Sequence, residues 1–186
     1  MLTRMSIELI QYTDLTVRQA KPLDAGLLTE LGRRCFYEAF VEQTAPEDMT
    51  AYLKTTFKQE AIEAQIKAKR SLFFIAEADA TAAGYVYSYP TDPPDCVRDP
   101  TAIQLIRLYL RKSYYGQGVG NALMQTALGQ AQARGYQTVW LSSWKLNDRA
   151  NAFYRRWGFK VVGDQKFTVG SDVQDDFIFS RKIRSA

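Results

Sequence analysis

The chain contains no histidine among its 186 residues, and this absence narrows the chemistry available to it. Ser-His-Asp and Cys-His catalysis need an imidazole, and so do most catalytic zinc sites. Its two cysteines, Cys35 and Cys96, are too few for a disulfide framework and lack zinc-site spacing. We therefore expect a reduced, cytoplasmic protein without a metal site, whose chemistry depends on carboxylates, tyrosines, backbone groups or a bound cofactor.

Long apolar runs are also missing from the sequence. No run approaches the roughly 18 residues that a membrane-spanning helix needs. Arg4, Glu8 and Gln11 interrupt the N-terminal segment, so we expect neither a membrane partner nor a signal peptide. Hydrophobic residues make up 46% and charged residues 24%, which is typical of a globular protein. This length suits one domain, which we predict over residues 1–186.

Charge is distributed unevenly along the chain, although the net charge is only +4. Residues 100–147 contain no acidic side chain, and residues 35–53 contain no basic one. The basic residues of the first segment are Arg107, Arg111, Lys112, Arg134 and Lys145, and the acidic residues of the second are Glu38, Glu42, Glu47 and Asp48. Both segments are compatible with solvated faces, or with a polyanion on the first and a cation near the second. Because no run of basic residues is present, we expect no nucleic-acid partner.

Hydrophobic periodicity predicts seven strands and four or five helices in the order β-α-α-β-β-β-α-β-α-β-β. The predicted strands are 15–20, 71–78, 82–89, 102–110, 137–144, 159–164 and 175–183. The predicted helices are 22–40, 46–66 as one or two pieces, 121–135 and 147–157. This order indicates an α/β fold with a mixed sheet.

A glycine-rich turn joins the predicted strand 102–110 to the helix that follows. Gly116, Gly118 and Gly120 allow unusual backbone conformations and close approach of a ligand. The helix N-terminus beyond them offers unpaired N–H groups and partial positive charge, which favour a phosphate. Asn121 stands where the dinucleotide fingerprint has its last glycine, and no Walker-type lysine follows. The turn is therefore either a phosphate loop of another kind or only a tight connection.

A second motif lies at Asn147–Phe159, where an amphipathic helix is predicted. Asn147 or Asp148 can cap it. Phe153 and Trp157 are expected in the core, whereas Tyr154, one position away, carries a phenol with an ordinary pKa of about 10.

Taken together, the two motifs resemble the GCN5-related N-acetyltransferase (GNAT) family. That family's Gln/Arg-x-x-Gly-x-Gly/Ala pattern, which holds the pyrophosphate of acetyl-coenzyme A, aligns with residues 115–120, although its first position is Tyr115 here. Its later pattern aligns with Asn147, Ala150, Phe153, Tyr154, Gly158 and Phe159. The resemblance implies a mixed, mostly antiparallel sheet of about seven strands with helices on both faces.

The resemblance also implies a co-substrate, acetyl-coenzyme A, and a direct transfer of acetyl to a primary amine. The implied cofactor-binding residues are Leu108, Tyr109, Leu110, Tyr115, Gly116, Gln117, Gly118, Val119, Gly120, Asn121, Asn147, Ala150 and Tyr154. Tyr154 would protonate the leaving thiolate, and the N–H of Leu110 or Leu108 would stabilise the oxyanion. A β-bulge on this strand would free that N–H from the sheet.

Within the family, the sequence is similar to the bacterial polyamine N-acetyltransferases. The similarity is carried by Glu47-Asp48-Met49 with Tyr52-Leu53, by Trp140-Leu141 with Trp144, and by Gly170, Asp172, Gln174 and Asp176. It implies spermidine or spermine as acceptor. We expect the acidic segment, Glu38, Glu42, Glu47 and Asp48, to bind this cation.

The general base is left open, because relatives carry glutamates where this strand has Gln104 and Ile106. Glu38, Glu42, Asp48 or a chain of waters could serve. The acceptor could instead be an amino acid, an aminoglycoside or a protein amine, or the protein could sense acyl-coenzyme A without catalysis. Both a monomer and a homodimer are compatible with the sequence.

Overall fold

The structure, a computed structural model, describes residues 14–183, so the expectation about the N-terminal segment lies outside the described residues. Its strands are β1 (Leu15–Gln19), β2 (Leu72–Ala78), β3 (Thr81–Tyr89), β4 (Ala102–Leu110), β5 (Thr138–Trp144), β6 (Lys160–Val169) and β7 (Asp172–Lys182). Its helices are α1 (Ala25–Phe40), α2 (Pro46–Thr56), α3 (Gln59–Lys67), α4 (Val119–Ala133) and α5 (Asp148–Arg156). The predicted order is confirmed, with the 46–66 segment divided into two helices.

Two element boundaries differ from the prediction. Pro22–Asp24 forms a 3₁₀ turn, and the α-helix begins only at Ala25. The last two strands are longer than predicted, because Gly170 adopts a φ of +61° and closes a tight turn between Val169 and Asp172. Phe167 and Val169 alternate with polar residues and face the core, but the segment is short and lies next to a glycine turn, so the prediction ended the strand too early.

All seven strands form one sheet in the order β1-β2-β3-β4-β5-β7-β6. Only β4 and β5 are parallel neighbours, and every other pair is antiparallel. α4 and α5 pack on one face of the sheet, and α1, α2 and α3 pack on the other. The predicted mixed, mostly antiparallel sheet with helices on both faces is confirmed. Within residues 14–183, no helix has the length and apolarity needed to cross a membrane.

The helix α1 approaches the sheet closely at Gly32. A Cβ at this position would lie 2.6 Å from the Phe57 ring and 2.9 Å from the Tyr85 hydroxyl, so no larger residue fits without movement. One turn further along the same helix, Phe36 is buried against this face of the sheet. The glycine thus sets the distance at which the end of α1 meets the sheet.

The centre of the sheet opens where β4 and β5 diverge. They pair only over Ala102–Gln104 and Thr138–Trp140, and no pairing continues beyond these residues. On its other edge β4 shifts register against β3 after Tyr87, which leaves Ile106 as the extra residue of a β-bulge. This strand therefore contains a bulge, but at Ile106 rather than at Leu108 or Leu110, which pair in regular register with Val86 and Gly84. The divergence leaves a gap that connects the two faces of the sheet.

Candidate active site

A cavity of about 660 Å³ occupies the gap between β4 and β5. On the α4 face it is lined by residues of the glycine turn and of α5, and we call this part the loop half. On the α1 face it is lined by aromatic rings, and we call this part the aromatic half. The aromatic half is lined by Phe36, Phe40, Tyr52, Trp144 and Phe167, together with Gln165, Gln174 and Asp176.

The loop half is built from backbone rather than side chains. Gly116 and Gly118 adopt φ values of +76° and +87°, and Gly118 is the N-cap of α4. No side chain of the described chain caps this helix, and its first backbone hydrogen bond runs from Ala122 N to Gly118 O at 3.0 Å. The backbone N–H groups of residues 119–121 therefore point outward from a helix N-terminus that no side chain of the described residues caps. This donor set fits a pyrophosphate, because N–H groups and the helix dipole both favour negative charge.

Positive charge reaches the loop half from α5. The Arg149 guanidinium lies 4.0 Å from the centre of the Tyr115 ring, and both Arg149 and Arg156 line the cavity. Sequence reasoning missed these two arginines, because it placed the positive charge in residues 100–147. Of that segment, Arg111 pairs instead with Glu38 at 3.1 Å.

Most of the residues expected to hold the cofactor lie on the cavity wall. Those that line it are Leu108, Tyr109, Leu110, Tyr115, Gly116, Gly118, Gly120, Asn121, Asn147, Ala150 and Tyr154. Gln117 and Val119 do not contribute to the wall. The Gln117 amide donates to Ser113 O at 2.7 Å, and the Val119 side chain is buried in the core under α4.

Two amides of β4 face the gap in the sheet. Arg111 N donates to Ala83 O of the β3 segment at 2.9 Å. Since N–H groups alternate in direction along a strand, the amides of Tyr109 and Arg107 point the same way. The amides of Leu108 and Leu110 consequently point towards β5, which has already diverged. They are the free donors that stabilisation of a developing oxyanion requires.

Tyr154 lies where the two halves meet. Its side chain is only 8% exposed, and its ring contacts those of Phe153, Phe159 and Phe179. Burial raises the pKa of the phenol, so it stays protonated at neutral pH and can donate a proton. The expected order of burial is reversed: Tyr154 is buried, while Phe153 and Trp157 are half-buried. Asn147 caps α5 by accepting from Ala150 N at 3.2 Å.

The rings of the aromatic half come from four different elements. Phe36 of α1 stacks on Tyr52 of α2 with centroids 4.4 Å apart, and Tyr52 meets Phe167 of β6 edge-on at 6.2 Å. Phe40 lies 6.3 Å from Trp144 at the end of β5. Together they form an apolar wall whose ring faces can attract a cation.

Asp176 is the only carboxyl among the described residues that line the cavity. It lies on β7 opposite Trp144 of β5 and Gln165 of β6, and it is 4% exposed. Its Oδ1 has no hydrogen-bond partner in the described structure. Burial raises the pKa of the carboxyl to about 6, Asp175 adds to the rise, and a hydrogen bond with Ser142 opposes it.

None of the four acidic residues expected to bind the substrate contributes to the described cavity wall. Glu38 accepts from Lys112 N at 2.7 Å and pairs with Arg34 and Arg111. Asp48 accepts from the backbone N and the hydroxyl of Ser171, and so holds the turn between β6 and β7. The carboxylates of Glu38 and Asp48 are therefore engaged in contacts within the fold and lie outside the described cavity wall.

Glu42 and Glu47 are exposed and lie outside the described cavity wall, and we call the segment 42–47 that carries them the acidic border. The Glu42 side chain is 75% exposed, with Lys112 Nζ 3.9 Å away. Thr44, between the two glutamates, lines the cavity. On β4, Gln104 accepts from the Thr91 hydroxyl at 2.8 Å, and Ile106 stands beside it on the wall. These two strand positions thus offer no base.

Known proteins share both the sequence pattern and the fold. A family model described as acetyltransferase (GNAT) family matches residues 30–159. An uncharacterized N-acetyltransferase of Lactobacillus delbrueckii subsp. lactis is 27% identical over 171 residues, covering 92% of this chain and 99% of that protein. An uncharacterized N-acetyltransferase of Mycobacterium tuberculosis is 28% identical over 160 residues, covering 86% and 98%.

Solved structures share the architecture at lower identity. The PaiA N-acetyltransferase from Thermoplasma acidophilum, in complex with coenzyme A, superposes with a TM-score of 0.76 at 21% identity, covering 92% of this chain and all of that one. YncA from Salmonella typhimurium, solved with its cofactor acetyl-CoA, gives a TM-score of 0.70 at 17% identity, covering 92% and 95%. At these identities the likeness establishes the fold.

Proposed function

We propose that this chain, which belongs to the acetyltransferase (GNAT) family, acetylates a polyamine such as spermidine or spermine. The chain is an N-acetyltransferase, and acetyl-coenzyme A is its co-substrate. The polyamine is the part that we infer. The observation that carries it is the Asp176 carboxyl, which lies at an aromatic wall of the cavity and is the one carboxyl that residues 14–183 contribute to its lining.

The aromatic half suits an aliphatic chain with cationic ends. Its rings can cover methylene groups, and their faces attract ammonium groups. Asp176 offers negative charge inside, and the exposed Glu42 and Glu47 of the acidic border, which flank the cavity residue Thr44 in sequence, can attract a second cationic group. A polyamine can therefore place one ammonium near Asp176 and another near the acidic border, which a simple monoamine cannot do. The sequence similarity to polyamine acetyltransferases agrees with this arrangement.

The residues of the chain divide the chemical work between them. When bound, acetyl-coenzyme A supplies the acetyl group as a thioester. The amides of residues 119–121 and the Arg149 guanidinium bind phosphate charge. The amides of Leu108 and Leu110 stabilise negative charge that develops on the carbonyl oxygen. The protonated phenol of Tyr154 donates its proton to the leaving sulfur.

Arg107 is the one feature of the aromatic half that favours another acceptor. Its guanidinium is 9% exposed and donates to Gln65 Oε1 at 2.9 Å, and no ion pair joins it to a described carboxylate. A carboxylate on the acceptor could pair with it. An amino acid is therefore the second candidate, and the same experiment separates the two.

The test is a panel of amines incubated with the purified protein and acetyl-coenzyme A, with release of free thiol followed over time. The panel contains spermidine, spermine, free amino acids, an aminoglycoside and a peptide with a free N-terminus. We expect kcat/KM for the polyamines to exceed that for every other amine by at least about tenfold, since two cationic groups are recognised. A preference for amino acids or peptides would overturn the polyamine proposal.

A further inference from the structure

We propose that Asp176 binds the ammonium group of the acceptor and accepts its proton, in place of the carboxylate that β4 lacks. This inference rests on the proposed function, because it needs a primary amine as acceptor. The inference assigns the general base to β7. This strand lies across the gap from β4, the strand on which relatives carry glutamates.

The register of the sheet brings Asp176 to the level of the reacting groups. Gln104 of β4 lies opposite Trp140 of β5 before the strands diverge. Because Ile106 is the extra residue of the bulge, four steps further along each parallel strand set Tyr109 level with Trp144 and Leu108 level with Ser143. Asp176 is the direct partner of Trp144 on β7. The carboxyl thus lies across the gap from β4 at the height of Tyr109, between the amides of Leu108 and Leu110.

The carboxyl of Asp176 is held in place but keeps an oxygen available. Ser142, a cavity residue of β5, provides a side-chain hydrogen bond. Oδ1 is buried without a partner, which is costly for a carboxylate unless a ligand or water completes its hydrogen bonding. An ammonium group carries three donors and would satisfy this oxygen.

The groups that surround Asp176 leave it as the available base of the aromatic half. On its own strand, Asp175 faces away and pairs with Lys166 at 2.8 Å. Strand β6 places the neutral Gln165 opposite Asp176. Helix α2 places Tyr52 at the cavity wall, and burial raises the pKa of its phenol. Burial likewise raises the pKa of the cavity's thiol and its other phenols, which are Cys35 of α1, Tyr109 of β4, Tyr115 of the glycine turn and Tyr154 of α5. Arg107 of β4 is the cation of this half and cannot serve as a base.

The proton balance of the step is simple. The ammonium group gives one proton to the Asp176 carboxylate, and the nitrogen lone pair forms a bond to the carbonyl carbon as the carbon–sulfur bond breaks. The sulfur takes the Tyr154 proton, and the new amide nitrogen returns its surplus proton to the Tyr154 phenolate. Asp176 then loses its proton to solvent. One proton is released overall for each amide formed.

The raised pKa of Asp176 favours this role. A free alkyl ammonium has a pKa near 10.4, so proton transfer to an ordinary carboxylate is strongly uphill. The pKa of about 6 makes the transfer less uphill by about two pKa units, or roughly a hundredfold in equilibrium constant. The carboxyl nevertheless remains ionised at neutral pH and can attract the cation.

The test compares Asp176→Asn with Asp175→Asn, which makes the same change one residue away on the opposite face of the strand. We measure kcat/KM for the best amine of the panel from pH 5 to pH 9. Wild-type protein should show an acid limb with an apparent pKa near 6, and Asp175→Asn should keep this limb, moved somewhat to lower pH because the Asp175 charge contributes to the raised pKa of Asp176. Asp176→Asn should lose this limb and be slower at pH 7.5 by about 10²–10⁴-fold, the usual contribution of a general base.

A second variant keeps the test decisive if Asp176→Asn does not fold. Ser142→Ala removes the hydrogen bond that lowers the Asp176 pKa, so the acid limb should move to higher pH. Calorimetric binding of coenzyme A, which does not involve Asp176, should be unchanged within about twofold in all three variants.

The outcomes separate this inference from the proposed function. If an amine is acetylated and Asp176→Asn behaves as Asp175→Asn does, with its acid limb intact, the role of Asp176 is refuted while the function stands. An acid limb that stays in place in Ser142→Ala refutes it as well. If no primary amine is acetylated, the proposed function fails and the inference fails with it.

Discussion

The two halves of the cavity recognise their ligands by different means. The loop half uses backbone amides from one continuous segment, residues 115–121, and its geometry depends on two glycines with positive φ. The aromatic half uses side chains from α1, α2, β5, β6 and β7, which meet only because β4 and β5 diverge. The loop half should therefore tolerate changes of side chain but not of backbone conformation, whereas the aromatic half should behave in the opposite way.

The largest effect is expected at the junction of the halves. Tyr154→Phe should lower kcat by about 10²–10⁴-fold, because the proton for the leaving sulfur is lost. Affinity for coenzyme A should stay within about twofold, since the ring and its packing remain. Steady-state kinetics and calorimetry measure the two quantities. Tyr136→Phe, a change outside the described cavity wall, is the matched control and should leave kcat unaltered.

An unchanged kcat in Tyr154→Phe would remove this phenol from the mechanism. A loss of coenzyme A affinity equal to the loss of kcat would show that Tyr154 acts in binding, and the functional separation of the two halves would then fail at their junction.

The second effect concerns stability and the Asp176 carboxyl. Its folded pKa of about 6 lies above the ordinary value, so the folded protein binds this proton more tightly than the unfolded chain. The contribution of this bound proton to the free energy of unfolding is complete below about pH 4, and it is lost as the pH rises to about 6. Relative to wild type, Asp176→Asn should gain on the order of 3 kcal/mol in free energy of unfolding between pH 4 and pH 8.

Denaturant unfolding of both proteins at these two pH values measures this difference. Asp175→Asn should show no such gain, because the pKa of Asp175 is lowered by Lys166 rather than raised. If the stability difference between wild type and Asp176→Asn does not depend on pH, burial does not penalise the ionised form of the Asp176 carboxyl.

A smaller effect is expected from the backbone of the loop half. Gly118→Ala places a side chain at a φ of +87°, which costs about 1–2 kcal/mol for an ordinary residue. If the loop relaxes to avoid this strain, affinity for coenzyme A should fall by roughly 5–30-fold. Gly129→Ala in the same helix has open space around it and should not weaken binding. Equal affinities in the two variants would contradict a backbone site.

The smallest effect is expected at the acidic border. Joint replacement of Glu42 and Glu47 by glutamine should raise KM for spermidine a few-fold and leave kcat unchanged, because exposed charges attract weakly. The effect should fade as salt is added. Glu63→Gln, in an exposed pair with Lys67 on α3, is the control. A change in kcat alone would show that the border does not bind the acceptor.

The same contrast explains how much the sequence could predict. The glycine turn, the Asn147 cap and the order of strands and helices along the chain follow from local patterns and are present. The position of Asp176 depends on the divergence of β4 from β5 and on the packing of α1 and α2, which no local pattern encodes. One signal was available: Gln174, Asp176 and the buried Ile178 alternate along β7 and so share one face.

The distribution of charge along the sequence could not predict which charged residues line the cavity, for a related physical reason. The sequence shows that Glu38 and Arg111 are charged, but only the fold shows that each satisfies the other. Likewise Asp48 is acidic in a motif, yet it holds the Ser171 turn. Composition indicates that charge is present in a segment, and tertiary contacts decide which charges remain for a ligand.

Calorimetric titration of coenzyme A into wild type, Gly118→Ala and Asp176→Asn tests the division into two halves most directly. The account predicts binding to wild type, an equal affinity for Asp176→Asn within about twofold, and an affinity roughly 5–30-fold weaker for Gly118→Ala. Absence of binding to wild type, or a greater loss of affinity in Asp176→Asn than in Gly118→Ala, would contradict it.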